Sequence, residues 1–213
     1  MHEIEKIKNK LIGEFWAIKR VGAKKPFQNP MAACKTIKLY EADIVADIGA
    51  YIGEYSLYAS KFVKTVNAYE GSPNTFKVLC MNKNSKINAY NKIVVGDDSK
   101  TARLYLTKCS GQGAANSIVN IKKDFIDVPA INYNDAIKNA TIAKIDVEGA
   151  EYNYSIINDN LRAIILEFHR IGKNYKDKAN QIMHDLENAG FKSTYKIPEF
   201  KNGWDTNSAW IRS

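Results

Sequence analysis

Acidic side chains recur at the ends of apolar runs in this sequence, and glycines follow closely behind them. Residues 43–48, "DIVADI", carry Asp47 near their end. The chain then reads Gly49-Ala50-Tyr51-Ile52-Gly53 before a helical pattern that includes Tyr55 and Ser56. Residues 65–70, "TVNAYE", end at Glu70, with Gly71 next. Residues 92–95 lead into Gly96, Asp97 and Asp98. Residues 142–147, "IAKIDV", contain Asp146, and Glu148 and Gly149 follow. Residues 163–169, "AIILEFH", finish with Glu167 and His169.

The chemistry open to such a set is ligand binding at strand ends. Glycines where a strand turns into a helix let the backbone come close to a ligand. The first free N–H groups of the helix, with the positive end of its dipole, favour a carboxylate or phosphate. Tyr55 and Ser56 could add hydroxyl contacts. Glu70 is placed to hold the two hydroxyls of a ribose, and the turn at Gly96 and Asp97 to lie near a purine edge. A capping Asp, a structural histidine or a solvated loop acid accounts for any one of these residues, but five strand ends in series would each need its own excuse. The spacing DxGxxxG is not the dinucleotide pattern GxGxxG, and no GxxxxGK[ST] phosphate loop is present. An acid-rich set with few cations suits a ligand with ribose hydroxyls, an amine and a positive centre. S-adenosylmethionine has all three, and its carboxylate could rest on the helix N-terminus after Gly49.

The elements that must position these residues alternate. Strands are expected at 43–48, 65–70, 92–95, 142–147 and 163–169, and helices at 52–63, 73–85, 133–139 and 175–189. Strands separated by helices predict right-handed crossovers and a mostly parallel sheet, with ligands outside the carboxyl ends of its strands. Residues 102–107 and 117–121 suggest a small β insertion. "FKSTYKI" and "SAWIRS" flank a turn and predict a terminal hairpin. At the start, Ile4, Ile7, Leu11, Phe15 and Ile18 recur at helical steps.

The chain has 213 residues and 45% apolar content, enough for one domain with a real core. It is divided here into a basic helical extension, 1–40, packed on a core domain, 41–213. No apolar run reaches the roughly 20 residues of a membrane span, and "MHEIEKIKNK" does not read as a secretory leader. Three widely spaced cysteines give no disulfide framework or metal cluster, so a cytoplasmic setting is expected. The net charge is +8, and residues 1–40 carry nine Lys/Arg against three Glu. Such a segment is a solvated face or attracts phosphate or anionic lipid.

The stretches "DIGAYIGEYSLYAS", "NAYEGSPNTFKVLCMN", "VPAINYNDAI", "AKIDVEGAEY" and "IILEFH" occur in the order and spacing of the FkbM-type family of class I S-adenosylmethionine-dependent methyltransferases, which the chain resembles over roughly 40–213. "KIDVEGAE" is the most specific of them. The resemblance implies an α/β, Rossmann-like class I methyltransferase fold: a seven-stranded, mostly parallel sheet with helices on both faces and an antiparallel C-terminal strand. It puts Asp47, Gly49 and Gly53 around the methionine part of the cofactor, within the turn that also holds Ala50 and Tyr51. It puts Glu70, with Gly71, on the ribose, and Gly96–Asp97 near the adenine. Asp146 would face the amine or sulfonium, with Glu148 beside the acceptor. Two departures stand out. The proline usual after the second strand's acid is delayed to Pro73, and Tyr51 replaces the Asn of "GANxG".

What the resemblance implies is O-methylation of a sugar or small-metabolite hydroxyl. Methyl transfer needs alignment in a dry site and a base for the hydroxyl proton. His169 is the first candidate base because an ordinary histidine titrates near neutrality. Asp146 and Glu148 are next. An RNA methyltransferase using the basic N-terminal segment is the second reading, and a non-catalytic cofactor-binding scaffold the third. Residues 108–118, "KCSGQGAANSI", could be a mobile acceptor loop or a plain connection. No structural metal is expected, although Asp146, Glu148 and His169 could gather a divalent ion. Acceptor identity and oligomeric state are left open.

Overall fold

A computed structural model of the protein describes residues 31–106, 124–196 and 206–212. The elements in chain order are α1 (Met31–Thr36), β1 (Ile44–Ile48), α2 (Glu54–Ala59), β2 (Thr65–Tyr69), α3 (Pro73–Asn82), β3 (Ile87–Tyr90), β4 (Ile93–Val95), β5 (Thr101–Tyr105), β6 (Phe125–Asn132), α4 (Tyr133–Ile137), β7 (Ile142–Ile145), a 3-10 turn (Ala150–Asn153), β8 (Ala163–Phe168), α5 (Tyr175–Asn188), β9 (Phe191–Lys196) and β10 (Thr206–Arg212).

Seven strands form one sheet in the order β3-β2-β1-β7-β8-β10-β9. β10 runs antiparallel to both of its neighbours, and the other printed pairings in this sheet are parallel. This is the expected α/β architecture, terminal hairpin included. The chain leaves β1 on one side for β2 and β3 and returns on the other side as β7. β1 is therefore the topological switch point, and the crevice outside its carboxyl end is where this architecture binds ligands.

Both faces of the sheet are covered, so its strands read as short continuous apolar runs. On one face Ala46, Ile48, Ala143, Ile145, Ile164, Leu166 and Trp210 pack with Tyr133 and Ile137 of α4 and with Ala179 and Leu186 of α5. On the other, Val45, Val66, Ala68, Ile142, Ile165 and Ala209 pack with Ala33 and Cys34 of α1, Tyr55 and Ala59 of α2 and Leu79 of α3. At the amino end of β1, Arg162 donates to both carboxylate oxygens of Asp43, whose Oδ1 also takes the Thr141 hydroxyl at 2.8 Å. This pins β1 to the start of β8 at the end opposite the crevice.

Three expectations need adjustment. Residues 92–95 do not supply the third strand of the main sheet. "INAY", 87–90, pairs with β2 there, while β4 joins a separate sheet in the order β4-β6-β5. β3 is an edge strand and needs one apolar face only, so its alternating polarity hid it behind the wholly buried "IVV". β6 was not foreseen. Pro129 and Asp127 disguise it, yet both are tolerated in this short side sheet. The helix expected at 52–63 is only α2, because Gly53 stands at its N-cap with φ 91°. The N-terminal helix, the strand at 117–121 and the loop at 108–118 lie outside the described residues. Among those described, no helix is long and apolar enough to cross a membrane.

Candidate active site

The turn after β1 is built by hydrogen bonds and by glycine. Gly49 and Ala50 both donate their N–H to the Tyr69 carbonyl, at 3.0 and 2.9 Å. Tyr51 takes a left-handed φ of 53° and donates its N–H to Glu70 Oε2 at 3.0 Å. Gly53 N–H closes on the Ala50 carbonyl at 2.9 Å. The N–H groups of Gly49, Ala50, Tyr51 and Gly53 are thus engaged within the protein. Gly49 has a specific reason to be glycine: its φ is 79°, and a Cβ there would stand 1.8 Å from the Asp146 carbonyl oxygen. At Gly53 a Cβ would stand 2.6 Å from Leu79 Cδ1. The close approaches that require these glycines are to the protein's own strand and helix.

Glu70 ends β2 beside this turn. Its two oxygens accept from Tyr51 N and from Ser72 N, the latter at 2.7 Å. Ser72 in turn caps α3, with Pro73 as the first helical residue. Delaying the proline by two positions therefore leaves the acid tied to the helix start. Burial pushes the Glu70 carboxyl up to about 7, against the lowering effect of the two N–H donors. Gly71 is packed against Ile93, and the carbonyls of Glu70 and Gly71 both accept from Asn91 Nδ2.

Asp47 and Lys144 are register partners on β1 and β7. Asp47 is fully buried, accepts the Ser56 hydroxyl at 2.6 Å on Oδ2, and faces Lys144 Nζ at 3.6 Å on Oδ1. Lys144 Nζ also reaches Asp146 Oδ2 at 3.0 Å and the Gly49 carbonyl at 3.3 Å. Burial works against the lysine's charge, but Asp146 and Asp47 outweigh it and hold Lys144 protonated. Burial raises Asp47, with Lys144 and Ser56 opposing. Asp146 goes the other way: Lys144 and His169 overcome its desolvation. Asp47 and Ser56 thus lie beneath the crevice as supports, and the Tyr55 hydroxyl is buried without a hydrogen-bond partner among the described residues. Lys144 was missed in the sequence. Its signal was a lone charge inside an otherwise apolar strand.

Asp146, Glu148 and His169 do come together. One ligand atom from each lies within 4.8 Å of the others. Glu148 (φ 54°) and Gly149 (φ 99°) turn the chain sharply after β7, and a Cβ on Gly149 would press on Ile171 at 3.0 Å. His169 Nε2 lies 3.7 Å from Asp146 Oδ1 and 3.7 Å from Glu148 Oε2. Behind it stands Glu151, wholly buried and also missed. Its Oε1 accepts the His169 N–H at 2.7 Å and lies 3.2 Å from Nδ1, while Oε2 accepts the Gly149 N–H at 2.9 Å. Burial disfavours the imidazolium, but the Glu151 hydrogen bond and the charges of Glu151, Glu148 and Asp146 push His169 up to about 10. The near-neutral value that made His169 the first candidate base does not hold among three carboxylates.

Gly96 and Asp97 follow β4 at its end in the side sheet. Gly96 abuts the Asn153 carbonyl, and Asp97 is exposed and accepts the Ser99 N–H.

The family profile described as "Methyltransferase FkbM domain" matches residues 47–193. Among solved structures, the chain is similar to a methyltransferase FkbM from Methylobacillus flagellatus KT, at 16% identity and a TM-score of 0.52. That match covers 82% of this chain and 44% of the other, so this chain spans less than half of that protein's length. It is similar to an rRNA methylase from Streptococcus thermophilus, at 11% identity and TM-score 0.53, covering 88% of this chain and 99% of that one. SMU.1697c from Streptococcus mutans, solved in complex with SAH, gives 11% identity and TM-score 0.50, covering 88% and 99%. At these identities the likeness is one of fold. No curated protein matches the chain.

Proposed function

This chain belongs to the methyltransferase FkbM family of S-adenosylmethionine-dependent enzymes, and we propose that it methylates a hydroxyl on a sugar or small metabolite. The observation that carries this reading is the placement of acids on both sides of the switch point: Glu70 at the end of β2, and Asp146 and Glu148 just beyond β7. This donor set fits the cofactor. Glu70 offers a carboxylate to ribose hydroxyls, and Asp146 and Glu148 offer negative charge to an ammonium or sulfonium. Bound S-adenosylmethionine would supply an already activated methyl group.

The chain's own residues then have four tasks. Glu70 holds the cofactor's ribose and, through Tyr51 N, the turn beneath it. Asp47 and Lys144 fix the floor between β1 and β7. Asp146, oriented by Lys144, sets the negative potential over the crevice. The acceptor hydroxyl would enter beside Glu148 and His169. With His169 held as the imidazolium, and Asp146 engaged by Lys144, Glu148 is the group best suited to accept the hydroxyl proton. Its side chain is 27% exposed, against 4% for His169.

Two measurements test this. Calorimetric titration should show S-adenosylhomocysteine binding with micromolar affinity, weakened at least about tenfold by Glu70→Ala, which is ~1.4 kcal/mol. A panel of sugars, small alcohols and RNA is then offered with methyl-labelled cofactor. Label entering a hydroxyl compound at a rate insensitive to salt supports the proposal. Label entering RNA, with a steep fall as salt rises, replaces it with the RNA reading. Cofactor binding with no transfer to any of them would favour a scaffold.

A further inference from the structure

We propose that Asp146, Glu148 and His169 form a binding site for one divalent transition-metal ion, at the place where the acceptor hydroxyl would enter. The inference deepens the function proposed above and rests on it for the identity of the acceptor side. The site itself rests on geometry. The 3.7 Å from His169 Nε2 to each carboxylate oxygen is too long for a hydrogen bond. It matches two ligands that each stand about 2.1 Å from a common ion, at an angle of about 120°.

A second observation is independent of that spacing. His169 is almost wholly buried, directs Nε2 toward Asp146 and Glu148, and has its Nδ1 held by Glu151. A carboxylate behind the far ring nitrogen fixes the tautomer and aims the near nitrogen's lone pair, which is how proteins orient a metal-bound imidazole. Glu151 is also fixed, since both of its oxygens take backbone N–H groups, from Gly149 and His169.

Charge points the same way. Asp47, Asp146, Glu148 and Glu151 gather around one lysine and one histidine. A divalent ion in the cluster would balance that charge. One nitrogen and two carboxylate oxygens suit Mn2+, Fe2+ or Zn2+ better than Mg2+ or Ca2+, which favour oxygen alone. Asp146 and Glu148 keep 29% and 27% of their side chains exposed, so the ion's remaining positions can face an entering oxygen. One Glu148 oxygen suffices for the ion, and the other would take the proton.

The test uses the full chain, stripped with EDTA, dialysed and titrated with Mn2+ while free Mn2+ is followed by electron paramagnetic resonance. The expected result is one site per chain, weakened at least tenfold by Glu148→Gln and by His169→Ala, and unchanged by Asp159→Asn on an exposed carboxylate elsewhere. Circular dichroism checks each variant's fold. If His169→Ala does not fold, Glu148→Gln, altered at a partly exposed side chain, carries the test alone. No stoichiometric site in folded wild type up to about 1 mM Mn2+, or equal binding by Glu148→Gln, overturns the proposal. S-adenosylhomocysteine titration of the same stripped sample separates the two readings. Cofactor binding without Mn2+ binding removes the metal site and spares the methyltransferase; the converse does the opposite.

Discussion

Lys144 stands directly across from Asp47 on the neighbouring parallel strand, and its ammonium is shared between Asp47 at 3.6 Å and Asp146 at 3.0 Å. One cation inside the sheet thus ties the end of β1 to the residue that opens the acidic cluster. The pairing makes the floor of the site a buried electrostatic unit rather than a packed apolar layer.

Removing the cation should be costly. Lys144→Met leaves the fully buried Asp47 carboxylate uncompensated, and should lower stability by about 3–5 kcal/mol. Adding Asp47→Asn should restore part of that loss, since the fully buried carboxylate is then gone. Denaturant unfolding of the two single variants and the double variant measures the coupling. Strict additivity would mean that the pair is not the unit described.

Gly49→Ala should cost about 3 kcal/mol or more, because it combines a left-handed backbone with a clash against the Asp146 carbonyl. Gly190→Ala is the informative comparison. It has a similar φ of 84° but nothing within 4 Å of the added carbon, so it should pay for backbone strain alone. Thermal melts that rank the two equally would show that strain, not the close approach, governs position 49.

Cofactor binding should depend on pH through Glu70. Its carboxyl lies near 7 rather than in the usual carboxylate range, and ribose hydroxyls donate to the ionised form. Affinity for S-adenosylhomocysteine should be full above pH 8 and fall toward tenfold per unit as pH drops below about 7. Glu70→Gln should bind more weakly and lose this slope. The same shift works against the ligand-free fold, in the opposite direction. A buried acid with a raised pKa favours the folded state when protonated, so its destabilising effect grows as pH rises from about 4.5 to 7. A flat wild-type binding profile between pH 5.5 and 8 would remove Glu70 from the ribose.

Glu148→Gln should reduce kcat by about 100-fold or more once an acceptor is known. The affinity for S-adenosylhomocysteine should change by less than about threefold, a difference under ~0.7 kcal/mol. Loss of cofactor affinity with kcat intact would place Glu148 on the cofactor rather than the acceptor.

Much of this was legible in the chain. Apolar runs of four to six residues gave β1, β2, β7 and β8, and the acids closing them marked the carboxyl edge of the sheet. β3 was overlooked because an edge strand with Asn88 and Tyr90 on its freer face does not read as apolar. At the site, Asp146, Glu148 and His169 were found by type and position. Glu151 and Lys144 were not, because their roles depend on a histidine 18 residues away and on a neighbouring strand. Tyr55 and Ser56 seemed available as hydroxyls, but helix phase turns them toward the core, which a linear spacing does not report. The glycines were noticed for a ligand's sake, while the nearest demand on Gly49 is a carbonyl oxygen of the protein itself.

The position of β10 has a consequence for how the chain is made. β10 is the last of the described strands, yet it lies between β8 and β9, and it carries the fully buried Trp210. During synthesis, β8 therefore leaves the ribosome with one edge unsatisfied. "AIILEF" must wait some forty residues for its partner, exposed as an apolar template for pairing with other chains. Closing the sheet waits for the last of the described strands to emerge. A chain stopped after residue 196 should remain protease-sensitive and prone to aggregate, although it already contains every residue assigned here to the crevice.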